Sequence, residues 1–286
     1  MASLFVENLT VMDFSYLDVD RGVVGESWIV DIELSGELDE QGMVFDFGSV
    51  KKQIKKFIDA HADHRLLVPV AVPGCETVLS ADVLSIEFPL NGGGQIHHRS
   101  PKDAVLLLDA AVVSREQIAS ELEVQLKAIL PSNVHEVTIE LRSEVIEGAY
   151  YHYTHGLQMH QGQCQRIAHG HRSRLQVYID GERRQPLEAS WAERLADAYV
   201  ATEEHIVEQF VHNGIEHTRL QYTAAQGEFA ISLPSSLVFR MPQVSTVENI
   251  AMHLAHCVAA EADGEVRVKA FEGVGKGAFG FAETGA

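Results

Sequence analysis

The sequence predicts an α+β protein built from two tandem copies of one unit, each with mainly antiparallel strands and two helices. Short motifs recur in the same order in both halves, as an internal repeat would produce. Apolar residues recur at helical spacing twice in each half, and segments of partly alternating polarity accompany them. Because 286 residues is near twice the usual domain size, we place the units at residues 1–147 and 148–286, the first and second repeat.

The first elements of each repeat are strands, followed by a helix. The clearest strands are Trp28–Leu34 and Leu175–Ile179, where apolar and polar residues partly alternate. A helix follows in the first repeat, with apolar positions Val50, Ile54, Phe57 and Ile58, and a weaker equivalent surrounds Leu195 in the second.

Two further strands, a second helix and a last strand complete each repeat. The second helices carry apolar residues at Ile118, Leu122, Leu126 and Ile129 in the first repeat and at Ile250, Leu254 and Cys257 in the second. The last strands are Val137–Leu141 and Val266–Val268. No Pro-, Gly- or Ser-rich linker separates the repeats, so we expect them to be rigidly joined.

Charge and composition exclude several classes of function. The formal net charge of −19 argues against a nucleic-acid partner, which needs clustered Lys and Arg to neutralise phosphates. No apolar run is long enough to span a bilayer and no signal peptide is evident, so we expect a cytoplasmic protein without a membrane partner. Three cysteines without close pair spacing argue against a disulfide framework.

Three histidines of the second repeat form a candidate metal centre. His169 and His171 are two apart, so on a strand both side chains project to one face. A third imidazole from a neighbouring strand would complete a three-histidine set with an open fourth position, a catalytic zinc arrangement. His152, His155 and His160 are the candidates, and the repeat favours His155, which we align with Asp18. The first repeat has Val24 and Glu26 where the second has His169 and His171.

Other candidate residues lie in both repeats. Cys164 precedes His169 by five residues and is either a base near a metal or an exposed loop cysteine. Asp63-His64 follows the first helix, and such a carboxylate orients and charges the adjacent imidazole. In the second repeat we align Glu203-Glu204-His205 with this pair.

Carboxylates at helix starts and closing strands have two open interpretations. Ser245-Thr-Val-Glu248 fits a capping box, whereas Glu248 could also grip the amino edge of a guanine-like ring by paired hydrogen bonds. Glu116 is the first repeat's equivalent. Glu144 and Glu272 on the closing strands are either surface or catalytic residues.

Together these motifs resemble the 6-pyruvoyl-tetrahydropterin synthase and 6-carboxytetrahydropterin synthase family, over nearly the whole chain and as a tandem duplication. The likeness rests on His155 with Cys164-x4-His169-Gly-His171, on Met43–Phe47, on Asp63-His64-Arg-Leu-Leu and on Ser245-Thr-Val-Glu248-Asn249. The resemblance implies two tunnelling-fold (T-fold) units, whose sheets join into barrels in a homo-oligomer with active sites at subunit interfaces.

The resemblance also implies a role for each site residue. His155, His169 and His171 would bind zinc, Cys164 would accept a proton, and Asp63 with His64 would complete a proton relay that Glu272 joins. Glu248 would anchor the pterin. The family's Asp-His pair comes from a neighbouring subunit, so the division of motifs between the repeats implies one site assembled from both, and half the usual number of sites.

The implied substrate is 7,8-dihydroneopterin triphosphate, which would lose triphosphate to give a 6-pyruvoyl or 6-carboxy product. The carboxy route feeds 7-deazapurine and queuosine synthesis. Arg172-Ser173 follows the His-Gly-His motif where the family often has Asn and an aromatic residue. Alternatives are a zinc enzyme with a changed pterin or purine substrate, and a non-catalytic assembly or regulatory protein.

Overall fold

The computed structural model describes residues 1–283, apart from the side chains of residues 49 and 50. The first repeat contains, in order, β1 (Ala2–Asp18), β2 (Gly22–Gly36), α1 (Phe47–His61), β3 (Leu66–Pro69), β4 (Glu76–Ser80), β5 (Val83–Pro89), β6 (Gln95–Pro101), β7 (Val105–Leu108), α2 (Arg115–Ile129) and β8 (Val134–Ser143). The second contains β9 (Tyr151–His155), β10 (His169–Ser173), β11 (Leu175–Ile179), β12 (Glu182–Arg183), α3 (Gln185–Arg194), β13 (Ala198–Thr202), β14 (Ile206–His212), β15 (Ile215–Ala224), β16 (Gly227–Pro234), β17 (Val238–Met241), α4 (Val247–Glu261), β18 (Glu265–Phe271) and β19 (Gly277–Glu283).

The four predicted helices are present, and each packs its apolar face on a sheet. In the first repeat α1 and α2 cover a sheet of order β7-β3-β1-β2-β8, and Ile54, Ile58 and Leu122 are fully buried there. The side chain of Val50, a predicted core position, lies outside the described residues. In the second repeat Leu254 and Val258 of α4 pack on β11 and β18. The predicted boundary between residues 147 and 148 falls between β8 and β9.

The strands between the two helices of each repeat are more numerous than predicted. We expected two strands there, but five lie between α1 and α2 and five between α3 and α4. Three from each repeat combine in one six-stranded antiparallel sheet of order β14-β15-β16-β6-β5-β4. Its inner face covers a core drawn from both repeats, including Phe88, Ile96, Phe229 and Leu233. The repeats therefore share a sheet and a hydrophobic core.

A second contact between the repeats joins their first two strands. β1 and β2 pack against β9 and β10, with Ser15 Oγ 2.8 Å from Thr154 Oγ1 in a fully buried hydrogen bond. The approach is close because glycine faces it from both sides. A Cβ on Gly25 would lie 1.8 Å from the carbonyl oxygen of Tyr153, and one on Gly170 would lie 2.6 Å from the Cα of Gly25.

The strand registers correct our alignment of the repeats at two places. His155 pairs with His169 on β10, whereas Val24 pairs with Tyr16, so Tyr16 rather than Asp18 occupies the position of His155. The parallel pairings of β3 and β13 with the first strands then make Asp197, and not His205, the equivalent of His64. Both residues have the left-handed conformation, with φ of 54° at His64 and 56° at Asp197.

Candidate active site

Antiparallel pairing of β9 and β10 brings the three predicted histidines together. His155 lies directly opposite His169, and His171 is on the same face of β10 as His169 because side chains alternate along a strand. The ring centroids of His155 are 4.5 Å from His169 and 5.4 Å from His171. All three rings are buried. Of the three candidates for the third ligand, the structure places His155 in the cluster.

Hydrogen bonds occupy one ring nitrogen of His155 and one of His169, and one ring nitrogen of His171 lies beside a carboxylate. Nδ1 of His155 donates to the carbonyl oxygen of Ser245 at 2.8 Å, and Nδ1 of His169 to that of Arg166 at 3.1 Å. Nδ1 of His171 lies 3.1 Å from Oδ1 of Asp13. The three Nε2 atoms are buried and have no hydrogen-bond partner within residues 1–283.

These free nitrogens have the chemistry of metal ligands. One donor atom from each ring lies within 4.8 Å of the other two. Burial lowers the pKa of His155 to about 3 and the pKa of His169 well below its usual value, so both rings are neutral and offer a lone pair. Three buried imidazole nitrogens without partners cost free energy unless a ligand satisfies them, and a divalent cation with nitrogen preference fits.

The Asp63-His64 pair of the first repeat reaches this cluster within the same chain. The His64 ring is 5.2 Å from that of His169, and donor atoms of His64, Cys164 and His169 lie within 4.8 Å of one another. Nδ1 of His64 donates to Oδ2 of Asp63 at 2.7 Å. Burial alone would lower the pKa of His64, but hydrogen bonds with Asp63 and Cys164 raise it to about 10.

Backbone bonds fix the position of this pair at the end of α1. The amide of His64 donates to the carbonyl oxygen of Asp13 at 2.7 Å, and the amide of Asp13 donates to Oδ1 of Asp63 at 2.8 Å. The left-handed conformation of His64 turns the chain from α1 into β3 at this point. Strand β1 therefore holds both residues of the pair against the second repeat.

Cys164 lies on a short turn that is supported by β15 of the second repeat and by the turn that follows β15. Its carbonyl oxygen accepts from the amide of Leu157 at 2.9 Å. The hydroxyl of Tyr222, on β15, donates to the carbonyl oxygen of Gln165 at 2.8 Å, and the amide of Gln226 donates to Oε1 of Gln165 at 2.7 Å. The thiol is half-buried and lies beside His64 and His169.

The two predicted glutamates differ in their distance from the cluster. Oε1 of Glu272 lies 3.9 Å from Nε2 of His171, so this residue belongs to the site. Glu248 is exposed on the first turn of α4, and no contact joins it to the other site residues in the described part of the chain. The capping box is wrong in its details, because Thr246 is the N-cap and accepts from the amide of Asn249 at 3.3 Å.

A cleft of ≈ 410 Å³ opens beside His64 and Cys164. It lies between α1 of the first repeat and the Cys164 turn of the second, and it is lined by Lys56, Asp59, Ala60, Asp63, His64, His160, Gln163 and Cys164. Lys56 was not predicted as a site residue, and its position across the repeat interface alone shows that it lines the cleft. Asp13 was missed for the same reason. His160, a candidate third metal ligand, lines this cleft instead of joining the three-histidine cluster.

The equivalent position in the first repeat has lost the metal ligands. Tyr16, Val24 and Glu26 stand where the second repeat has its three histidines. Asp197, the equivalent of His64, forms an ion pair with Arg21 at 2.5 Å, and Nη1 of Arg21 donates to the hydroxyl of Tyr16 at 2.9 Å. An ion pair therefore lies where the second repeat has its three-histidine cluster.

Comparison with known proteins agrees with the repeat and the motifs. The sequence model described as 6-pyruvoyl tetrahydropterin synthase matches residues 20–154 and again residues 144–278. The chain belongs to this family. It has two tandem T-fold units, as the resemblance predicted, and the family identifies it as a lyase-type pterin synthase.

Individual family members resemble the chain over about one repeat. It is 25% identical over 131 residues to a putative 6-carboxy-5,6,7,8-tetrahydropterin synthase of Pyrococcus horikoshii, covering 46% of this chain and 74% of that protein. A crystal structure of 6-pyruvoyl tetrahydropterin synthase from Plasmodium vivax is 18% identical, covers 49% of this chain and 97% of that chain, and has a TM-score of 0.37. The corresponding Plasmodium falciparum enzyme is 18% identical, covers 49% and 90%, and has a TM-score of 0.36. Within residues 1–283, no helix is both long and apolar enough to cross a membrane.

Proposed function

We propose that the chain is a zinc-dependent lyase that converts 7,8-dihydroneopterin triphosphate to a 6-carboxy- or 6-pyruvoyl-tetrahydropterin. Both routes release triphosphate, and the carboxy route also releases acetaldehyde. The observation that supports this most directly is the composite site. Three buried, unpartnered imidazole nitrogens of the second repeat lie against the Asp63-His64 pair of the first. Such a site combines metal ligands with an acid–base pair, as proton transfers at a sugar-like side chain require.

His155, His169 and His171 would hold the metal. Three histidine ligands leave an open position, where a bound Zn²⁺ polarises substrate oxygens and acidifies the neighbouring C–H groups. The donor set favours zinc over magnesium or calcium, because those cations prefer oxygen ligands.

Cys164 and His64 would move the protons. The imidazole of His64, whose Nδ1 donates to Asp63, lies beside the sulfur of Cys164, which would accept a proton from a side-chain carbon of the pterin. Asp63 holds the His64 ring through its Nδ1–H, so Nε2 is the atom that exchanges protons. Glu272, close to His171, would join this relay.

The remaining parts of the substrate would extend away from the metal. Glu248 at the start of α4 would pair with the amino and ring N–H groups of the pterin, because a carboxylate accepts both. The cleft beside α1 would receive the phosphate chain, since it carries Lys56 and opens to solvent. Arg172 does not enter the cleft: its guanidinium lies over the ring of Tyr150, 4.1 Å from the centroid.

The carboxy product, and with it a place in queuosine and 7-deazapurine synthesis, is the version that the Pyrococcus relative favours. We also propose that the sheets of several chains join into a barrel in a homo-oligomer, through exposed edge strands such as β8 and β19.

The test is incubation of the zinc-loaded protein with 7,8-dihydroneopterin triphosphate, following triphosphate release and the pterin product by mass spectrometry. We expect conversion by the natural chain, a loss of at least about 100-fold in Cys164→Ala and His64→Ala, and no change in His135→Ala, which alters an exposed histidine. Bound zinc without any conversion would contradict the synthase function and favour a changed substrate or a structural role.

A further inference from the structure

Asp13 is a buried carboxylate beside the metal cluster that comes from the first repeat. It lies on β1 and is 3% exposed. A buried carboxylate is costly unless charge or hydrogen bonds compensate it. Its neighbours are therefore informative about its role.

The contacts of Asp13 converge on His171. Its Oδ1 lies 3.1 Å from Nδ1 of His171 and accepts a hydrogen bond from the hydroxyl of Ser27 at 2.5 Å. Its Oδ2 lies 3.3 Å from Nζ of Lys276. Polar groups of both repeats therefore surround this buried carboxylate: Ser27 from the first, and His171 and Lys276 from the second.

Of the three histidine rings, His171 is the one whose Nδ1 lies beside a carboxylate. Nδ1 of His155 and Nδ1 of His169 each donate to a neutral backbone carbonyl, whereas Nδ1 of His171 faces a full negative charge. A carboxylate on the far nitrogen of a metal-bound imidazole fixes the ring tautomer and orientation and makes the ligand more basic. It also offsets part of the charge of a dication held by neutral ligands.

We propose that Asp13 is the positioning residue of the metal centre: it holds His171 as the Nδ1–H tautomer with Nε2 toward the metal. The inference rests on the proposed metal site. It adds that the first repeat contributes to metal affinity itself, in addition to the Asp63-His64 relay.

The equivalent positions in the two repeats make different contacts, and only the one at Asp13 pairs a carboxylate with a ring nitrogen. His152 occupies the place of Asp13 in the second repeat, and its Nδ1 is 2.7 Å from the carbonyl oxygen of Gly25. The residue at the place of His171 in the first repeat is Glu26. His171 thus faces the carboxylate of Asp13, whereas His152 bonds to a backbone carbonyl oxygen.

Asp13→Asn tests the proposal because it keeps the shape of the side chain and removes its charge. Zinc affinity is measured by competition with a chromophoric chelator, without substrate, so the result is independent of the synthase activity. We expect affinity to fall by roughly 10- to 100-fold. The matched control is Asp31→Asn, which removes an ion-paired aspartate of the same sheet, 2.5 Å from Arg142, and should leave zinc affinity unchanged.

A second measurement applies whether or not Asp13→Asn folds. In the zinc-loaded natural chain, ¹⁵N NMR of the histidine rings, assigned with His171→Ala, should show His171 protonated at Nδ1. Unchanged zinc affinity in a folded Asp13→Asn chain, or a His171 ring protonated at Nε2, would overturn the proposal.

Discussion

Each side chain of the site depends on a partner that is distant in sequence. The carbonyl oxygen of Ser245 orients His155, and the backbone of Asp13 holds Asp63 and His64 in place. These contacts position the side chains without a ligand, as the proposed proton transfers would require. Lys56 is different, because its ammonium group faces the cleft and has no ion-pair partner among the described residues.

At the residue scale, Lys56→Ala should weaken binding of the phosphate chain. A charge pair near a protein surface contributes on the order of 1 kcal/mol, so we expect KM for the triphosphate substrate to rise by about fivefold with little change in kcat. Inorganic triphosphate should inhibit the variant correspondingly less. The control is Lys52→Ala on the same helix, outside the cleft. Equal KM values for both variants would contradict a phosphate subsite at Lys56.

At the scale of elements, β15 and the turn after it position the short turn that carries Cys164. Tyr222 and Gln226 of β15 and the following turn bind residues on both sides of Cys164. The six-stranded sheet that contains β15 covers a core shared by the repeats on its inner face. The turn that carries Cys164 is therefore supported by hydrogen bonds from β15 and the turn after it.

Tyr222→Phe should loosen the Cys164 turn. It leaves the buried carbonyl oxygen of Gln165 without its donor, at a cost of about 1–3 kcal/mol. We expect kcat to fall by about tenfold, because a displaced Cys164 thiol would be less well oriented for proton transfer, while zinc affinity stays the same. Hydrogen exchange across residues 157–167 should become faster. Tyr178→Phe, which removes a hydroxyl bonded to a side chain at 3.2 Å elsewhere, is the control and should change neither quantity.

The sequence was sufficient for the elements with strong periodicity and for the motif residues. His169 and His171 were predictable as neighbours because strand spacing puts them on one face, and the helices because their apolar residues recur. The number of strands between the helices was underestimated, in part because edge strands carry little apolar pattern: every residue of β4, at one edge of the six-stranded sheet, is exposed. Asp13 escaped because its partner is in the other repeat, and no local pattern marks such a contact.

At the scale of the whole molecule, close packing of the two repeats creates the site. Gly25 and Gly170 allow backbone atoms of β2 and β10 to meet. Gly25→Ala should separate the repeats, because its Cβ would lie 1.8 Å from a carbonyl oxygen. We expect a loss of about 3 kcal/mol or more in the free energy of unfolding, measured with urea.

The control for that substitution is Gly92→Ala, in a loop where an added Cβ meets no atom within 4 Å. Its stability should stay within about 0.5 kcal/mol of the natural chain. Similar stability of the two variants would contradict the close packing of the repeats.

The molecule should bind one zinc ion per chain. The first repeat has tyrosine, valine and glutamate at the equivalent positions, and these cannot replace three imidazoles as a zinc site. Elemental analysis of zinc-loaded protein should therefore give a ratio near one, and His169→Ala should abolish it. A ratio near two would mean that the first repeat retains a site of its own.

The most direct test of a site built from both repeats of one chain is complementation between two inactive variants. His64→Ala damages the relay of the first repeat, and His169→Ala damages the metal cluster of the second. The two variants are co-expressed with different tags, the mixed oligomers are purified, and conversion of 7,8-dihydroneopterin triphosphate is measured. We predict no activity, because every chain carries a defect in its own site. Recovery of about a quarter of the natural activity, as random pairing of repeats from different chains would give, would contradict this assembly.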